Sequence, residues 1–358
     1  MTRTGILQRL GRPHGRPSFF LALFKGMGLR AGTLILVVLF CASRRLPMLV
    51  AQPPGPAGTG SRSGEVQENL ASGAASLRQQ NYAVAKERFE AVLAVQPDNP
   101  RARSGELEAV TALALKARAA GSPYEALGVL QRARVQLPRD PVLLTRLGIQ
   151  AQQMHLLSVA SEALAAALAI DPKLPDALYA SARVEIDQDR LQVAEAHLRA
   201  YLEQRPGDAS AHFGLGHVLE RQQKTDAARA EFKRSIELKP AQTESYFQLG
   251  QMALDVHQDD TARSYFHEVL ARDPAHGGAL TGDGIAAYRR KEFTVARERL
   301  SAAVAASPDY QPAHYYLGLT LARLGEKVES DRQLQLAVDL DRRQQGKGEA
   351  VGPAGRMP

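Results

Sequence analysis

Histidine, cysteine and paired acid and base side chains are what a metal centre or catalytic site is built from, and in this 358-residue chain they do not converge. Nine histidines stand at 14, 155, 197, 212, 217, 257, 267, 276 and 314. None belongs to a His-Glu-x-x-His pair, the spacing that turns two imidazoles to one side of a helix. His212 and His217 are five residues apart, a step that does not place both well on one helical face. Cys41 is the only cysteine, so neither a thiolate cluster nor an intrachain disulfide can form. Its neighbours Val38, Leu39 and Phe40 are too large for the small-residue context of a lipid-bearing cysteine. The run from Gly277 to Gly284 is glycine-rich like a phosphate loop, but no Lys-Ser/Thr follows and the run lies within a helical pattern. No nucleophile stands at a motif spacing from a base. The expectation is a chain that is not an enzyme, with no catalytic residue, no metal ligand set and no cofactor.

The elements that carry these residues are expected to be helices. Apolar residues make up 44% of the chain and charged residues 23%, which argues against disorder, while aromatics are only 6% and Ala and Leu abound. A net charge of +7 suggests an anionic partner at first sight. Its distribution removes that reading: residues 1–64 hold nine Lys/Arg and no acid, and residues 65–341 carry 32 basic against 37 acidic side chains. A folded region with net −5 lacks the electrostatic footprint of a nucleic-acid binder.

Residues 1–51 read as a leader. Arg3, Arg9, Arg12, Arg16, Lys25 and Arg30 precede the apolar run 31–42, the order of an export signal. Twelve helical residues span about 18 Å, short of a hydrocarbon core of about 30 Å. Ala51 offers a small residue for cleavage, whereas Arg44 and Arg45 directly after the run fit an uncleaved signal-anchor. Either way the expected location is exported (periplasmic or extracellular) or membrane-anchored. Residues 52–64, rich in Pro, Gly and Ser, are expected to be a linker, and the basic residues 342–358 a disordered tail.

Between them runs a repeat. Prolines recur at 97, 138, 172, 206, 240, 274 and 308, with spacings of 41 and then five of 34. Taking this proline as position 32 starts eight units near 66, 107, 141, 175, 209, 243, 277 and 311. Position 8 is then Gly73, Ala114, Gly148, Ala182, Gly216, Gly250, Gly284 and Gly318, and position 20 is Ala in seven units and Ser330 in the last. Position 24 is Phe89, Leu130, Leu164, Leu198, Phe232, Phe266, Leu300 and Leu334. Apolar steps at 4, 7, 8 and 11 and at 20, 24, 27 and 28 follow the helical period, so each unit is two helices. Small residues let the two backbones approach, and the large residue fills the space left. The seven extra residues of the first spacing are nearly two turns, which predicts one long helix from Pro100 to about Ala119. Polar Asn69 and Ser72 mark the first unit as a cap.

These columns resemble the tetratricopeptide repeat family over residues 65–341. The resemblance implies an all-α, right-handed superhelical solenoid of about eight helix-turn-helix repeats. Such units cannot bury enough apolar surface alone and fold by stacking. Asp283 departs from the pattern at position 7, where Leu113, Leu147, Leu215, Leu249 and Leu317 stand in other units. A buried carboxylate is costly unless paired, so the reading is local loosening beside Gly282 and Gly284 with a basic neighbour, or a ligand contact. Asp283→Leu is expected to raise the melting temperature.

The resemblance also implies a concave groove lined by positions 2, 5, 9 and 12 of each first helix, where the family commonly holds a peptide. Position 5 supplies Tyr179, Phe213, Phe247 and Tyr315, and position 9 supplies Arg183, His217 and Gln251. At the groove edge, position 13 supplies Asp187, Arg221, Asp255, Arg289 and Arg323. Aromatics with arginine suit a binding hot spot, although rings at position 5 can equally pack on neighbouring helices. The family's carboxylate clamp of Lys and Asn has no counterpart here. Position 6 reads Arg146, Ala180, Gly214, Gln248, Gly282 and Tyr316, which is no asparagine ladder. The function expected is a protein-interaction scaffold that binds a partner segment in this groove, in or beyond the cell envelope. Alternatives are a carbohydrate- or envelope-polymer-binding array and a regulatory subunit of a separate enzyme.

Overall fold

A computed structural model of the protein describes residues 59–350. The leader 1–51 with its apolar run and Cys41, linker residues 52–58 and tail residues 351–358 lie outside the described residues. Among the described residues there are sixteen α-helices and no strand. They pair in order as α1 (Thr59–Arg78) with α2 (Tyr82–Val95), α3 (Pro100–Ala119) with α4 (Pro123–Ala133), α5 (Pro141–Gln153) with α6 (Leu157–Ile170), and α7 (Pro175–Asp187) with α8 (Leu191–Gln204). The second half repeats the scheme: α9 (Ala209–Arg221) with α10 (Thr225–Leu238), α11 (Thr243–Asp255) with α12 (Asp259–Leu270), α13 (Gly277–Arg289) with α14 (Phe293–Ala306), and α15 (Gln311–Arg323) with α16 (Lys327–Ala350). Each helix packs on the next, and first helices of adjacent units also touch, as in α5 with α7 and α11 with α13. No described helix is long and apolar enough to cross a membrane.

One backbone device turns the chain in every unit. Position 15 has positive φ in all eight: Gln80, Gly121, His155, Asp189, Gln223, His257, Lys291 and Gly325, with φ between 56° and 83°. The next residue's N–H then bonds back five residues, as in Lys224 to Leu219 O and Glu292 to Ala287 O, both 2.9 Å. This left-handed closure satisfies carbonyls that the helix end leaves open. Helix starts are fixed by Pro100, Pro141 and Pro175 in the first turn, where the missing N–H costs nothing. Asn99, Asp140 and Asp208 accept hydrogen bonds from the opening N–H groups.

Positions 8 and 24 meet as their sizes require. A Cβ added at Gly216 would lie 2.7 Å from the Phe232 ring, at Gly250 2.6 Å from Phe266, and at Gly284 2.6 Å from Leu300. Position 6 joins this contact from the following unit, since a Cβ on Gly282 or Gly105 would come within 2.3 Å of Phe266 or Phe89. Phe89 and Phe266 therefore sit between two units as keystones of the stack.

Three boundaries differ from the sequence reading. The long helix expected from Pro100 to about Ala119 is α3, but the second unit counts from Pro100, 34 residues after Val66, rather than from 107, since Gly105 packs on Phe89 as position 6 counted from there. The two extra turns lie inside α3, whose later residues Ala114 and Ala117 join the core with Leu130. Residues 59–64 are helical rather than linker, and 342–350 are helical rather than disordered. Buried Val66 and Leu70 at one end and Ala337 and Leu340 at the other anchor these helices. Extending a formed helix costs far less than nucleating one.

Candidate functional site

Helices α7, α9 and the start of α11 place positions 5, 9 and 12 of successive units side by side. There Tyr179, Arg183, Ile186, Phe213 and His217 line an open cavity of about 430 Å³, with Lys239, Gln242 and Glu244 on its far wall. Four residues expected to bind a partner are thus brought together: Tyr179, Arg183, Phe213 and His217. The rings are half-buried because each leans on its own unit's second helix, Tyr179 on Tyr201 at 5.1 Å and Phe213 on Phe232 at 5.8 Å between centroids. Burial, with the nearby Asp208 carboxylate next, raises the Tyr179 hydroxyl above the ordinary phenol range. Burial and the 2.6 Å hydrogen bond to Asp208 push Tyr201 up to about 12. Both remain un-ionised donors at any physiological pH. Two polar atoms of the cavity residues make no hydrogen bond: Gln242 Oε1, and His217 Nδ1, whose nearest acid, Glu220, stands 3.8 Å away.

The other expected residues are used differently. Arg221 donates to Ile186 O at 3.3 Å and pairs with Asp189 at 2.8 Å. Arg289 donates to Leu254 O at 2.6 Å and pairs with Asp259 at 3.3 Å. In both cases a position-13 guanidinium ties its unit to the last turn of the preceding unit's first helix and to an acid just beyond it, Asp189 in the turn or Asp259 at the start of the second helix, so these two arginines are inter-repeat staples rather than free edge charges. Sequence position could not show this, because the acceptors are backbone carbonyls about one repeat away. Phe247 is committed to packing between Phe266, at 6.1 Å, and His276, at 4.9 Å. Tyr315 is exposed and stands edge-on to Tyr316. The side chains of Gln251 and Arg323 make no hydrogen bond or ion pair among the described residues. Neither they nor Phe247 and Tyr315 line the cavity of Tyr179 and Phe213.

The tetratricopeptide repeat model matches residues 145–209, 179–243, 247–310 and 283–341. The chain belongs to the tetratricopeptide repeat family. Such arrays are protein-interaction scaffolds, and this chain has that architecture. No curated protein matches the sequence. Among solved structures, it is similar to the Cut9–Hcn1 hetero-tetramer of the APC/C, with 13% identity, a TM-score of 0.51, and coverage of 79% of this chain and 54% of that one. It is also similar to YrrB, a TPR protein with an unusual peptide-binding site (23% identity, TM-score 0.45, 51% and 95% coverage). A tetratricopeptide repeat protein from Parabacteroides merdae is a third (17% identity, TM-score 0.45, 72% and 99% coverage).

A second groove of the tetratricopeptide array escaped the sequence reading. Between α1 and α3 an open cavity of about 590 Å³ is floored by Leu70, Ala71, Ala74, Leu77 and Phe89, with Arg101 and Glu108 at its rim. Its α1 residues are positions 5, 6, 9 and 12 of the first unit, the same stripe that forms the groove of Tyr179. The available signal was the pair of alanines at positions 6 and 9, masked by the shifted start of the second unit.

Asp283 is corrected by the structure. It is fully buried, yet its Oδ1 accepts from Arg263 Nε at 2.9 Å, and its Oδ2 lies 3.1 Å from Arg299 Nε and 3.4 Å from His267 Nε2. Arg299 offers charge without a directed hydrogen bond to Oδ2. The expected basic neighbour is present as Arg263 and Arg299, and the carboxylate they pair with is buried in the packed helix. Counted from Pro100, Glu106 holds the same position 7 and is also fully buried, but neither of its oxygens has a partner. Burial, with Glu90 adding to it against the pull of Lys86, pushes its carboxyl up to about 8. Lys86, the counterpart of Arg263, is held by Glu90 instead. Among the described residues no group of three or more His, Cys, Asp or Glu side chains could hold a metal ion.

Proposed function

We propose that the inner groove of units 4 to 6 binds an extended segment of a partner protein, making the chain a non-enzymatic scaffold. The observation that carries this is the cavity of Tyr179, Arg183, Phe213 and His217, with polar atoms on His217 and Gln242 that make no hydrogen bond. Half-buried rings supply apolar contact at little conformational cost, and a small rotation of the imidazole or amide turns its spare atom toward a peptide N–H or C=O. Arg183, Asp187, Lys239 and Glu244 all line the cavity, a mixed-charge frame that orients a polypeptide. A stacked array meets its ligand with little reordering of its own. The composition of the leader supports a place in or beyond the cell envelope.

The test is capture of partners from native membranes by the full chain and by the variant Arg183→Glu/His217→Ala. Both substitutions sit on the groove wall and leave the core rings in place. The expected result is loss of a specific protein from the captured set, with affinity falling as salt rises. An unchanged set overturns the groove reading. Retention by glycans that ignores salt but depends on Tyr179 would favour the carbohydrate alternative.

A further inference from the structure

Position 7 of unit 4 is Ser181, where units 3, 5, 6 and 8 bury Leu147, Leu215, Leu249 and Leu317. The smaller side chain lines a cavity of about 320 Å³ between α6, α7 and α8. At about 100° per residue, Ser181 and Glu185 face the opposite side of α7 from Tyr179 and Arg183, so this site is independent of the inner groove. Glu185 is buried, and its Oε2 accepts from His197 Nδ1 at 2.9 Å. A carboxylate can only accept, so Nδ1 carries the proton of this bond. Leu164, Leu168 and Val184 form an apolar wall. At the rim, Glu162 lies 3.5 Å from Arg134, and Arg190, the one guanidinium lining the cavity, donates to Ser161 at 3.1 Å. The cavity thus sets a buried carboxylate beside apolar walls that suit a methylene stem.

Three repeats further on, the chain itself shows what such a space takes. The positions of Ser161, Ala165, Ser181 and His197 are there Arg263, His267, Asp283 and Arg299. The Arg263 side chain crosses between helices to the buried acid at 2.9 Å. Here the arginine is replaced by Ser161 of unit 3, and the acid stands one turn along in unit 4 as Glu185, where unit 7 has Ala287. We propose that this cavity receives an arginine side chain of a partner protein, its guanidinium on Glu185 and its stem along Leu164, Leu168 and Val184.

Calorimetric titration of the full chain with acetyl-arginine methylamide tests it, with acetyl-norleucine methylamide as the uncharged control and agmatine as the free small cation. Saturable binding of the arginine probe alone among the two capped residues is expected. Glu185→Gln should weaken it about tenfold or more, the scale of one charge-assisted hydrogen bond. Ser181→Leu, which restores the residue used in four other units, should abolish binding while the melting temperature holds or rises. No saturable binding to the parent protein, or undiminished binding to a folded Ser181→Leu protein, overturns the proposal. If Ser181→Leu melts lower, Glu185→Gln decides, and unchanged affinity there overturns it equally. Agmatine binding more tightly than the capped arginine would overturn the assignment to a protein side chain in favour of a small cation.

Discussion

Position 7 shows how one side-chain site yields opposite energetics from its neighbours. Asp283 has Arg263, Arg299 and His267 around it, and Glu106 has only a lysine already engaged. Removing one partner of a buried ion cluster strands the others. Asp283→Leu is therefore expected to lower the melting temperature, by about 1–3 kcal/mol of stability, the reverse of the sequence-based expectation. Glu106→Gln should do the opposite, with a pH signature. The folded carboxyl titrates near 8 against 4.5 when free, so the unfolded chain ionises first as pH rises. The stability of the parent protein is then undiminished by this group below about 4.5, falls between 4.5 and 8, and levels off above 8. At about 1.4 kcal/mol per pKa unit, the Gln variant should gain a few kcal/mol relative to the parent at pH 8 and almost nothing at pH 4.5. Urea melts at the two pH values check this, and a gap that does not change with pH would contradict it.

Each two-helix unit closes through a left-handed residue at position 15, and six of the eight are not glycine. A side chain in that region costs roughly 1 kcal/mol or more, offset in part by glycine's larger unfolded-state entropy. Gln223→Gly or Lys291→Gly, both at exposed turns with φ near 60°, should raise the melting temperature slightly. Gly325→Ala at φ 83° should lower it. Thermal scans of the single variants decide, and a fall on Gln223→Gly would mean that its side chain carries a contact worth more than the strain. The same turn explains why Gly121 and Gly325 look like punctuation in the sequence while His155, Asp189 and His257 do not. The conformation is imposed by closing the helix pair and by the bond from position 16 back to position 11, and any residue can be forced to accept it.

Across the whole array, stability is shared through residues that belong to two units at once. Phe266 is fully buried between Gly250 of its own unit and Gly282 of the next. Phe266→Ala opens a void there, at a cost of about 3–5 kcal/mol. If the stack melts as one body, calorimetry will show a single transition displaced downward. Two separated transitions would show that the array divides at that junction. The arginine staples at Arg221 and Arg289 run across such junctions too, so part of the basic character that looked available to a partner is spent inside the stack.

Periodicity made the fold legible. The Gly, Ala, Phe/Leu and Pro columns recur because every unit solves one packing problem, and a repeated solution leaves a repeated residue. Part of the candidate groove was legible for the same reason, since Tyr179, Arg183, Phe213 and His217 occupy the same stripe positions of α7 and α9. What required the tertiary structure was everything decided by a neighbour about 30 residues away. This includes the commitment of Arg221 and Arg289 to carbonyls of the preceding unit, the ion cluster that shelters Asp283, the unpaired Glu106, and the cavity lined by Ser181. A sequence column records which residue stands at a position, but the free energy of a buried charge or a missing methyl group depends on what faces it across the helix interface.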